Sequence, residues 1–494
     1  MNPVTAFPSA LPATQGILFN NHPQPTGRQE PATKPSPLPD GAKLLAAESF
    51  GLRHNALSPL ETLAQSISTI APSTSPPITV PLVFALATQG TALAYVIAMC
   101  LMVLIGLCVA AFARESASPG SLYAYTRRSL PPAASALTAW ALFFAYLTTG
   151  AAVLGGFIKY SYLFLAYLPP SFPHLPAVLL TLAAATAATF IAYRDIQLSA
   201  RLMLYIEAAS VLLIAIVIAL VLWHHGLHLD RSQFALRSMN PRSLGLGVML
   251  AIFSFVGFES ATTLGAEARE PLRTIPRAII QSALLSGVFF VLCAYGETLG
   301  FHNSPVPLDQ ADAPFHTLAA LVHLNALGLL IDAGVLISTF AATLACIIAA
   351  SRVLLLMSHH GLAHRRLQHT HSTHETPGLA SLTAGILVAL PAAALALHGT
   401  SGSDIYGWMG TLAVYGFLTA YALVAVALFA HRRRQNRLTP ATLLLTTAAT
   451  LAILLALASN LYPIPPAPLS YFPYLYAAYL AIALGWLTLT KRNT

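Results

Sequence analysis

The sequence predicts an all-α membrane protein with about twelve transmembrane helices. Of its 494 residues, 56% are hydrophobic and only 9% are charged, whereas a soluble globular domain carries about 25% charged residues. A helix that crosses the hydrocarbon core needs about 20 apolar residues, and runs of that length recur from Leu57 to Thr490. Strands of a β-barrel would be shorter and would alternate apolar with polar residues. Nearly the whole chain is therefore expected to lie in one membrane domain.

Each predicted span is an apolar run bounded by polar or proline-rich residues. The twelve runs are Leu57–Leu86, Ala92–Phe112, Ala134–Leu165, Ala177–Ala192, Ser199–Trp223, Leu244–Glu267, Ile275–Leu299, Leu327–Met357, Leu379–Leu397, Ile405–Ala430, Ala441–Ser459 and Tyr474–Thr490. They predict a core of ten spans over residues 56–431 and two further spans with a short tail over residues 432–494. Residues 1–55 form a leader with nine prolines among its first 40 residues. Such proline-rich segments of low hydrophobicity stay disordered as a rule.

Lysine and arginine are distributed unevenly among the predicted loops. With the amino terminus inside the cell, 21 of the 25 Lys and Arg residues fall in inside segments, and three, Arg231, Arg237 and Arg242, fall outside. Basic residues concentrate on the cytoplasmic side of membrane proteins. The pattern predicts a multi-pass protein of the cytoplasmic membrane with both termini in the cytoplasm. It also accounts for the net charge of +8 without a nucleic-acid partner.

Two of the predicted spans contain residues that break helices. Span 1 carries Pro72, Pro76 and Pro77 in the middle of its apolar run, and each proline removes a backbone donor and clashes with the preceding turn. Span 6 combines Gly257, Glu259 and hydroxyl side chains within its run. Backbone groups freed inside a membrane must find partners in protein or line a water-filled cavity. Breaks at corresponding places in two halves of a chain indicate an inverted-repeat transporter with a site near the middle of the membrane.

The ends of broken helices offer polar backbone groups to a ligand. The N–H groups at the amino end of a half-helix suit a carboxylate, and the carbonyl groups at a carboxyl end suit an ammonium group or a cation. Because an amino acid carries both a carboxylate and an ammonium group, this geometry favours an amino acid or a related amine as the substrate.

Short motifs in several regions resemble the amino acid–polyamine–organocation permease superfamily. The stretch Phe253–Glu259 resembles its F-x-F-x-G-x-E motif, and Glu267–Ala278 resembles its E-x-x-x-P-x-x-x-I-P-R-A signature. Residues Pro119–Tyr125 resemble its P-x-G-x-x-Y-x-Y element, and Trp140 and Tyr146 match the aromatic start of its third span. The resemblance covers nearly the whole predicted membrane domain.

The resemblance implies a leucine-transporter-type fold of five plus five inverted spans, with spans 11 and 12 outside the repeat. It also implies that the two breaks hold the charged ends of the substrate, with Phe253 as an aromatic gate and Glu259 as a proton-sensing carboxylate. The expected substrate-binding residues are Ile70, Ala71, Ser73, Thr74, Ser75, Phe253, Ser254, Phe255 and Gly257. Many relatives have a Gly-Ser-Gly break in span 1, and this chain departs from that pattern.

The coupling ion is open between a proton and sodium. Some proton-coupled relatives use a lysine in span 5, but Ser210 occupies that position here, so Glu207, one turn earlier, joins Glu259 as a candidate for proton coupling. Sodium-coupled relatives use hydroxyl groups of span 8, and Ser338 and Thr339 are the candidate sodium ligands here. Hydroxyl groups in helices also bond to their own backbone, which is the alternative for both residues.

Three other groups of polar residues have competing interpretations. Lys159 in span 3 either extends toward the membrane surface or pairs with a carboxylate near the substrate path, and Asp332 is expected in an outer vestibule. Six histidines between His359 and His374 lie in the loop after span 8. Because no cysteine or acidic pair frames them, they do not predict a metal site, and no cofactor is expected.

Together these observations predict a secondary transporter that moves amino acids or related amines by alternating access, through proton-coupled symport or exchange. Its partners are the small-molecule substrate, the coupling ion and the bilayer, and its oligomeric state is open. An inorganic-ion cotransporter or a transporter-like sensor on the same fold is the alternative. An intramembrane enzyme would need histidines and carboxylates that converge within helices, and no such set is present in the sequence, so no enzymatic activity is expected.

Overall fold

The computed structural model describes residues 52, 55–169, 175–194, 197–226, 229–235, 239–371, 374–462 and 464–491. Within these residues the chain is helical, and the only β-type contact is an isolated parallel bridge between Leu57 and Ala268. The predicted leader of residues 1–55 lies outside the described residues, apart from residues 52 and 55.

Fifteen α-helices follow one another in the described part of the chain. They are α1 (Pro59–Ile70), α2 (Ser75–Ala87), α3 (Thr91–Ala113), α4 (Ser121–Arg127), α5 (Pro132–Leu165), α6 (Ala177–Arg194), α7 (Gln197–His224), α8 (Pro241–Phe253), α9 (Pro271–Gly300), α10 (Pro314–Leu321), α11 (Asn325–His359), α12 (Gly378–Leu397), α13 (Gly402–Arg434), α14 (Pro440–Leu461) and α15 (Phe472–Lys491).

Among the described residues, nine helical stretches are long and apolar enough to cross a membrane. One of them, Pro59–Ala113, is 55 residues long and covers predicted span 2 and all but the first two residues of predicted span 1. Two shorter apolar helices, Pro241–Phe253 and Leu469–Gly485, overlap predicted spans 6 and 12. The prediction of an all-α membrane protein is thus confirmed. The number of twelve crossings, the inverted repeat and the division at residues 431 and 432 stay predictions.

The break predicted in span 1 is present between α1 and α2. Ala71 ends α1 in the left-handed conformation, with φ 49° and ψ 65°. The second half starts at Ser75 and has Pro76 and Pro77 in its first turn, where the missing N–H groups of proline cost no helical hydrogen bond. The prolines therefore separate two short helices instead of bending one.

Span 6 breaks at the expected place, but its second half is not an α-helix. Beyond the end of α8, Gly257 has a φ of 97°, and a short 3₁₀ segment follows over Ser260–Leu264. The hydroxyl groups of Thr262 and Thr263 donate to the main-chain carbonyl groups three residues before them, at 2.6 Å each. These bonds hold the tighter 3₁₀ geometry, so the predicted run Leu244–Glu267 is α-helical only in its first half.

Close backbone contacts fix α13 against α5. A Cβ added to Gly155 would lie 2.6 Å from the carbonyl oxygen of Gly402, and one added to Gly416 would lie 2.6 Å from that of Ala141. Small residues at such crossings let helices approach closely within a membrane. This closely packed pair of helices lies beside the two breaks and is called the wall. We call the end of the helix bundle that holds Arg352 the arginine-rich end.

Candidate functional site

The two breaks lie against each other in the middle of the molecule. A Cβ added to Gly257 would collide with the side chain of Thr69 near the end of α1. The hydroxyl group of Ser66 donates to the carbonyl oxygen of Phe258 at 2.6 Å and accepts from the N–H of Ala261 at 3.1 Å. The last turns of α1 and the second break are therefore joined by both packing and hydrogen bonds.

The carbonyl groups at the end of α1 lack their usual helical donors. Pro72 has no N–H to give. The N–H of Ser73 donates instead to Oε1 of Glu207 at 2.6 Å, and that of Thr74 donates to the carbonyl oxygen of Ala71 at 2.9 Å. The last three carbonyl groups of α1 thus receive no N–H from the residues that follow. Such carbonyl groups are suited to an ammonium group or a cation.

Glu207 on α7 joins the first break to α11. Its carboxylate is buried, and its second oxygen accepts from the hydroxyl group of Ser338 at 2.6 Å. The hydroxyl group of Thr74 donates to Ser338 at 3.0 Å. Of the two candidate sodium ligands, Ser338 therefore lies at the break. The hydroxyl group of Thr339 instead bonds to the carbonyl oxygen of Leu336 in its own helix at 2.7 Å.

Glu259, in the second break, is held by two phenol groups. The hydroxyl group of Tyr146 on α5 donates to Oε1 at 2.7 Å, and that of Tyr421 on α13 donates to Oε2 at 2.6 Å. The carboxyl group is fully buried. The sequence had pointed to Glu259 but not to either tyrosine as its partner, because a pairing across helices depends on how each helix is rotated.

Phe253, the predicted gate, lies at the end of α8 with its ring against α13. Its ring meets that of Tyr406 edge-on, with the centroids 5.3 Å apart. A Cβ added to Gly410 would lie 2.6 Å from the ring of Phe253. The hydroxyl group of Tyr406 shares a hydrogen bond of 2.9 Å with that of Thr79 on α2. A movement of Phe253 would disturb contacts on two other helices. Its role as a gate stays a prediction.

The side chains of Ser254 and Phe255 belong to the packing around the second break. The hydroxyl group of Ser254 shares a hydrogen bond of 2.9 Å with that of Tyr95 on α3. The ring of Phe255 lies against Tyr95, at 6.4 Å between centroids, and against Phe290 on α9, at 5.2 Å. Neighbouring helices thus engage both side chains, and the contact of these two residues with a substrate stays a prediction.

The remaining predicted binding residues all lie at the first break. Their positions agree with the expectation, although their contact with a substrate stays a prediction. These buried residues are Ile70, Ala71, Ser73, Thr74 and Ser75.

The arginine-rich end is closed by a buried ion pair and two main-chain bonds. Arg352 binds both carboxylate oxygens of Glu267, with Nε to Oε2 at 2.7 Å and Nη2 to Oε1 at 2.8 Å. Leu57, just before α1, donates its N–H to the carbonyl oxygen of Glu267 at 3.0 Å and accepts from the N–H of Arg269 at 2.8 Å. The bidentate geometry makes this pair well defined, and it joins α11 to the segment after the second break.

His360, just beyond α11, is a neutral histidine beside an arginine. Its Nε2 accepts from Arg127, so Nδ1 carries the proton and donates to the hydroxyl oxygen of Tyr123 at 3.0 Å. Burial and the charge of Arg127 lower the pKa of His360 from 6.5 to about 4. The loop that follows has the rings of His371 and His374 packed 4.7 Å apart. No group of metal ligands is found among the described residues.

Asp332 is buried instead of lying in an open vestibule. Its side chain is fully shielded, and its Oδ2 lies 3.1 Å from Nδ1 of His316. The difference arises because α10, which carries His316, packs over this turn of α11. Asp312 and Asp332 act electrostatically on Lys159, but it forms no ion pair with either of them, so both interpretations of Lys159 stay predictions.

Comparisons with known proteins agree with the motifs. A family model described as amino acid permease matches residues 57–485. The branched-chain amino acid permease BcaP of Bacillus subtilis is 23% identical over 433 residues, which cover 82% of this chain and 83% of that protein. The low-affinity putrescine importer PlaP of Escherichia coli is 26% identical over 212 residues, 41% of this chain and 44% of that protein. The methylthioribose transporter of Bacillus subtilis is 22% identical over 356 residues, which cover 69% of this chain and 73% of that protein. The chain therefore belongs to the amino acid permease family and is a secondary transporter of amino acids or related amines.

Proposed function

We propose that this transporter works by alternating access and that protons drive it through Glu207. The observation that supports this is the hydrogen bond of 2.6 Å from the N–H of Ser73, inside the first break, to the Glu207 carboxylate. Unpaired N–H groups at the start of a half-helix are the groups that bind the carboxylate of a substrate. Glu207 and a substrate carboxylate therefore compete for the same backbone donor.

A proton would resolve this competition in favour of the substrate. Ionised Glu207 holds the N–H of Ser73 and the hydroxyl group of Ser338 with charge-assisted hydrogen bonds. Once protonated, the carboxyl group is a weaker acceptor and the site loses a negative charge. The backbone of the first break is then free to bind an anionic group. Proton and substrate bind together in this scheme, which is symport.

Glu259 provides a second proton-sensitive contact, at the interface between the second break and the wall of α5 and α13. Protonation would turn one of its oxygens from an acceptor into a donor. One of the two tyrosines would then lose its acceptor, and an unsatisfied buried group costs about 1–3 kcal/mol. Binding of a proton here would loosen the second break from the wall and permit it to move.

The names of two of the relatives cover a neutral amino acid class and a diamine. That range fits a site built mainly from backbone groups, where the charged ends of a substrate are bound in the same way whatever its side chain. We propose amino acids or related amines as the substrate class for this chain, with import across the cytoplasmic membrane.

The test is uptake into proteoliposomes of a panel of labelled amino acids and diamines, with a pH gradient, a sodium gradient or neither. We expect saturable uptake that an inward proton gradient stimulates and a sodium gradient does not. In Glu207→Gln, the ratio of uptake with and without the proton gradient should fall to about one. Asp404→Asn, which changes an exposed carboxylate at the start of α13, is the matched control and should keep the wild-type ratio. Stimulation by sodium, or an unchanged ratio in Glu207→Gln, would contradict the proposed coupling.

We also propose that the arginine-rich end faces the cytoplasm, because 21 of the 25 basic residues lie on that side in the predicted topology. Single cysteines placed at His398 and Gln435 probe the two ends. An impermeant thiol reagent added to whole cells should label the first and not the second, and the reverse pattern would invert the orientation.

A further inference from the structure

Buried carboxyl groups are costly in a membrane protein, and each normally has a partner. Six are buried in the described part of the chain, namely Glu61, Glu207, Glu259, Glu267, Glu297 and Asp332. Five of them have hydrogen-bond donors: Glu61 has the N–H of Ser58 and Asp332 has His316, and the partners of the other three are given above. Glu297 is the exception.

Glu297 lies on α9 with none of its side chain exposed. Neither of its carboxylate oxygens has a hydrogen-bond partner among the described residues, and no lysine, arginine or histidine there forms an ion pair with it. Burying an isolated carboxylate costs several kcal/mol, whereas a glutamine or leucine of similar size would cost less. A carboxyl group in such a place is suited to a positive group that arrives from elsewhere.

The register of α9 places Glu297 on the same side of the helix as residues that pack against the second break. Phe290 comes two turns earlier on that face, about 10 Å along the helix axis, and its ring lies against Phe255 and Tyr95. The hydroxyl group of Tyr95 in turn bonds to Ser254. Glu297 lies within electrostatic reach of Tyr95, on the side of the break away from the arginine-rich end.

A second buried polar group without a partner lies in the same region. Tyr160 on α5 is fully buried, and its hydroxyl group has no hydrogen-bond partner among the described residues. It lies within electrostatic reach of both Glu297 and Asp332. Asp332 already has His316 beside it, so Glu297 is the carboxyl group in this region without a partner. A carboxylate and a phenol oxygen together supply two acceptors for the N–H groups of an ammonium ion.

We propose that Glu297, with Tyr160, binds a second cationic group on the substrate, so that the preferred substrates are basic amino acids or diamines. This inference rests on the proposed function, in which the two breaks bind the charged groups at the other end of the substrate. The ammonium group at the far end of the carbon chain then enters the region of Glu297. A neutral amino acid of the same length leaves that carboxyl group without a partner and is transported less efficiently.

The test measures selectivity with the full chain in proteoliposomes, using labelled lysine, 1,4-diaminobutane and leucine. We expect the wild-type protein to have a higher kcat/KM for lysine than for leucine. In Glu297→Gln, the ratio of the two kcat/KM values should fall roughly ten- to hundredfold, the loss of one hydrogen-bonded charge. Glu297→Asp, which keeps the charge, should recover part of the ratio, and Asp404→Asn should keep all of it.

The outcomes separate this inference from the proposed function. If the wild-type protein transports leucine and not lysine, or if Glu297→Gln lowers both rates in proportion, the proposed role of Glu297 is wrong while transport itself stands. If no probe is taken up by folded wild-type protein, the proposed function is contradicted. Binding of lysine to detergent-solubilised protein, measured by calorimetry, then tests Glu297 alone, and equal affinities of the wild-type and Glu297→Gln proteins would overturn its role.

Discussion

Each of the two breaks has a buried carboxylate beside it, but the two are held by different kinds of donor. Glu207 lies outside the first break and accepts from the backbone of the break and from a serine on α11. Glu259 lies within the second break and accepts from two phenols on the wall formed by α5 and α13. At the first break, the backbone of the break donates to a carboxylate on another helix. At the second break, the break itself carries the carboxylate and the wall provides the donors.

Because the donors differ, protonation is expected to have a different consequence at each of the two carboxylates. Neutral Glu207 releases a backbone N–H, which changes what the first break can bind. Neutral Glu259 releases a phenol, which changes how firmly the second break is attached to the wall. Glu207 is therefore expected to govern affinity and coupling, and Glu259 to govern the movement between outward and inward states.

The largest effect on this pair of sites is expected from Gly257→Ala, which acts on the contact between the two breaks. A φ of 97° is unfavourable for alanine by about 1–2 kcal/mol, and its Cβ would collide with Thr69, which adds about 1–3 kcal/mol of overpacking. We expect a lower thermal midpoint and uptake close to background, measured in detergent and in proteoliposomes.

Gly399→Ala is the control for this change. Its φ of 77° is also left-handed, but a Cβ there meets nothing within 4 Å. It should show only the backbone cost and keep uptake. Equal losses of thermal midpoint and of uptake in the two alanine variants would show that the contact of Gly257 with Thr69 does not contribute to stability or transport.

An intermediate effect is expected when each carboxylate loses one donor. Ser338→Ala removes a donor to Glu207 and also leaves the hydroxyl group of Thr74 without its acceptor, whereas Tyr421→Phe removes only a donor to Glu259. A hydrogen bond to a charged group is worth about 1.5–3 kcal/mol. We therefore expect both variants to be destabilised in thermal unfolding, and Ser338→Ala more than Tyr421→Phe.

Thr339→Val is the matched control for the serine variant, because its hydroxyl group bonds within its own helix. It should keep both stability and the response to a proton gradient. A loss of uptake in Thr339→Val that added sodium modifies would instead revive the sodium interpretation and weaken the contrast between the two carboxylates.

The smallest effect concerns His360, away from both breaks. Since its pKa is lowered to about 4 from 6.5, its neutral form stabilises the closed arrangement with Arg127 and Tyr123. That stabilisation is complete above pH 6.5 and is lost as the pH falls through about 4, because the opened state takes up a proton first. The protection factors of residues 121–128, which correct the exchange rates for the intrinsic effect of pH, should therefore fall as the pH is lowered over this range, and less so in His360→Gln. His398→Gln, at an exposed site, should behave as the wild-type protein, and an identical pH response in all three would exclude this role for His360.

The sequence alone predicted the helical membrane fold and both breaks, because the signals for these are local. Proline at positions 72, 76 and 77 and glycine at position 257 act on their own backbone wherever the helix packs. The family motifs added Phe253 and Glu259. The resemblance also led to Glu207, which lies one turn before Ser210, the position where some proton-coupled relatives have a lysine.

The partners of these residues could not be predicted, because each pair depends on the rotation and depth of two helices that are far apart in sequence. Tyr421 lies 162 residues from Glu259, and Ser338 lies 131 residues from Glu207. Glu297 was missed although a local signal was present, a carboxyl group in the apolar run Ile275–Leu299. Its lack of a partner, which makes it informative, is visible only in three dimensions.

The main-chain bonds of Leu57 have a mechanical consequence. They join the start of α1 to the segment that leaves the second break, at both Glu267 and Arg269. The two broken helices thus cannot slide past each other at this end without rupturing both bonds, and the number of independent coordinates needed to describe their motion is reduced. A pair of fluorophores that measures the displacement of one broken helix would therefore also report the displacement of the other.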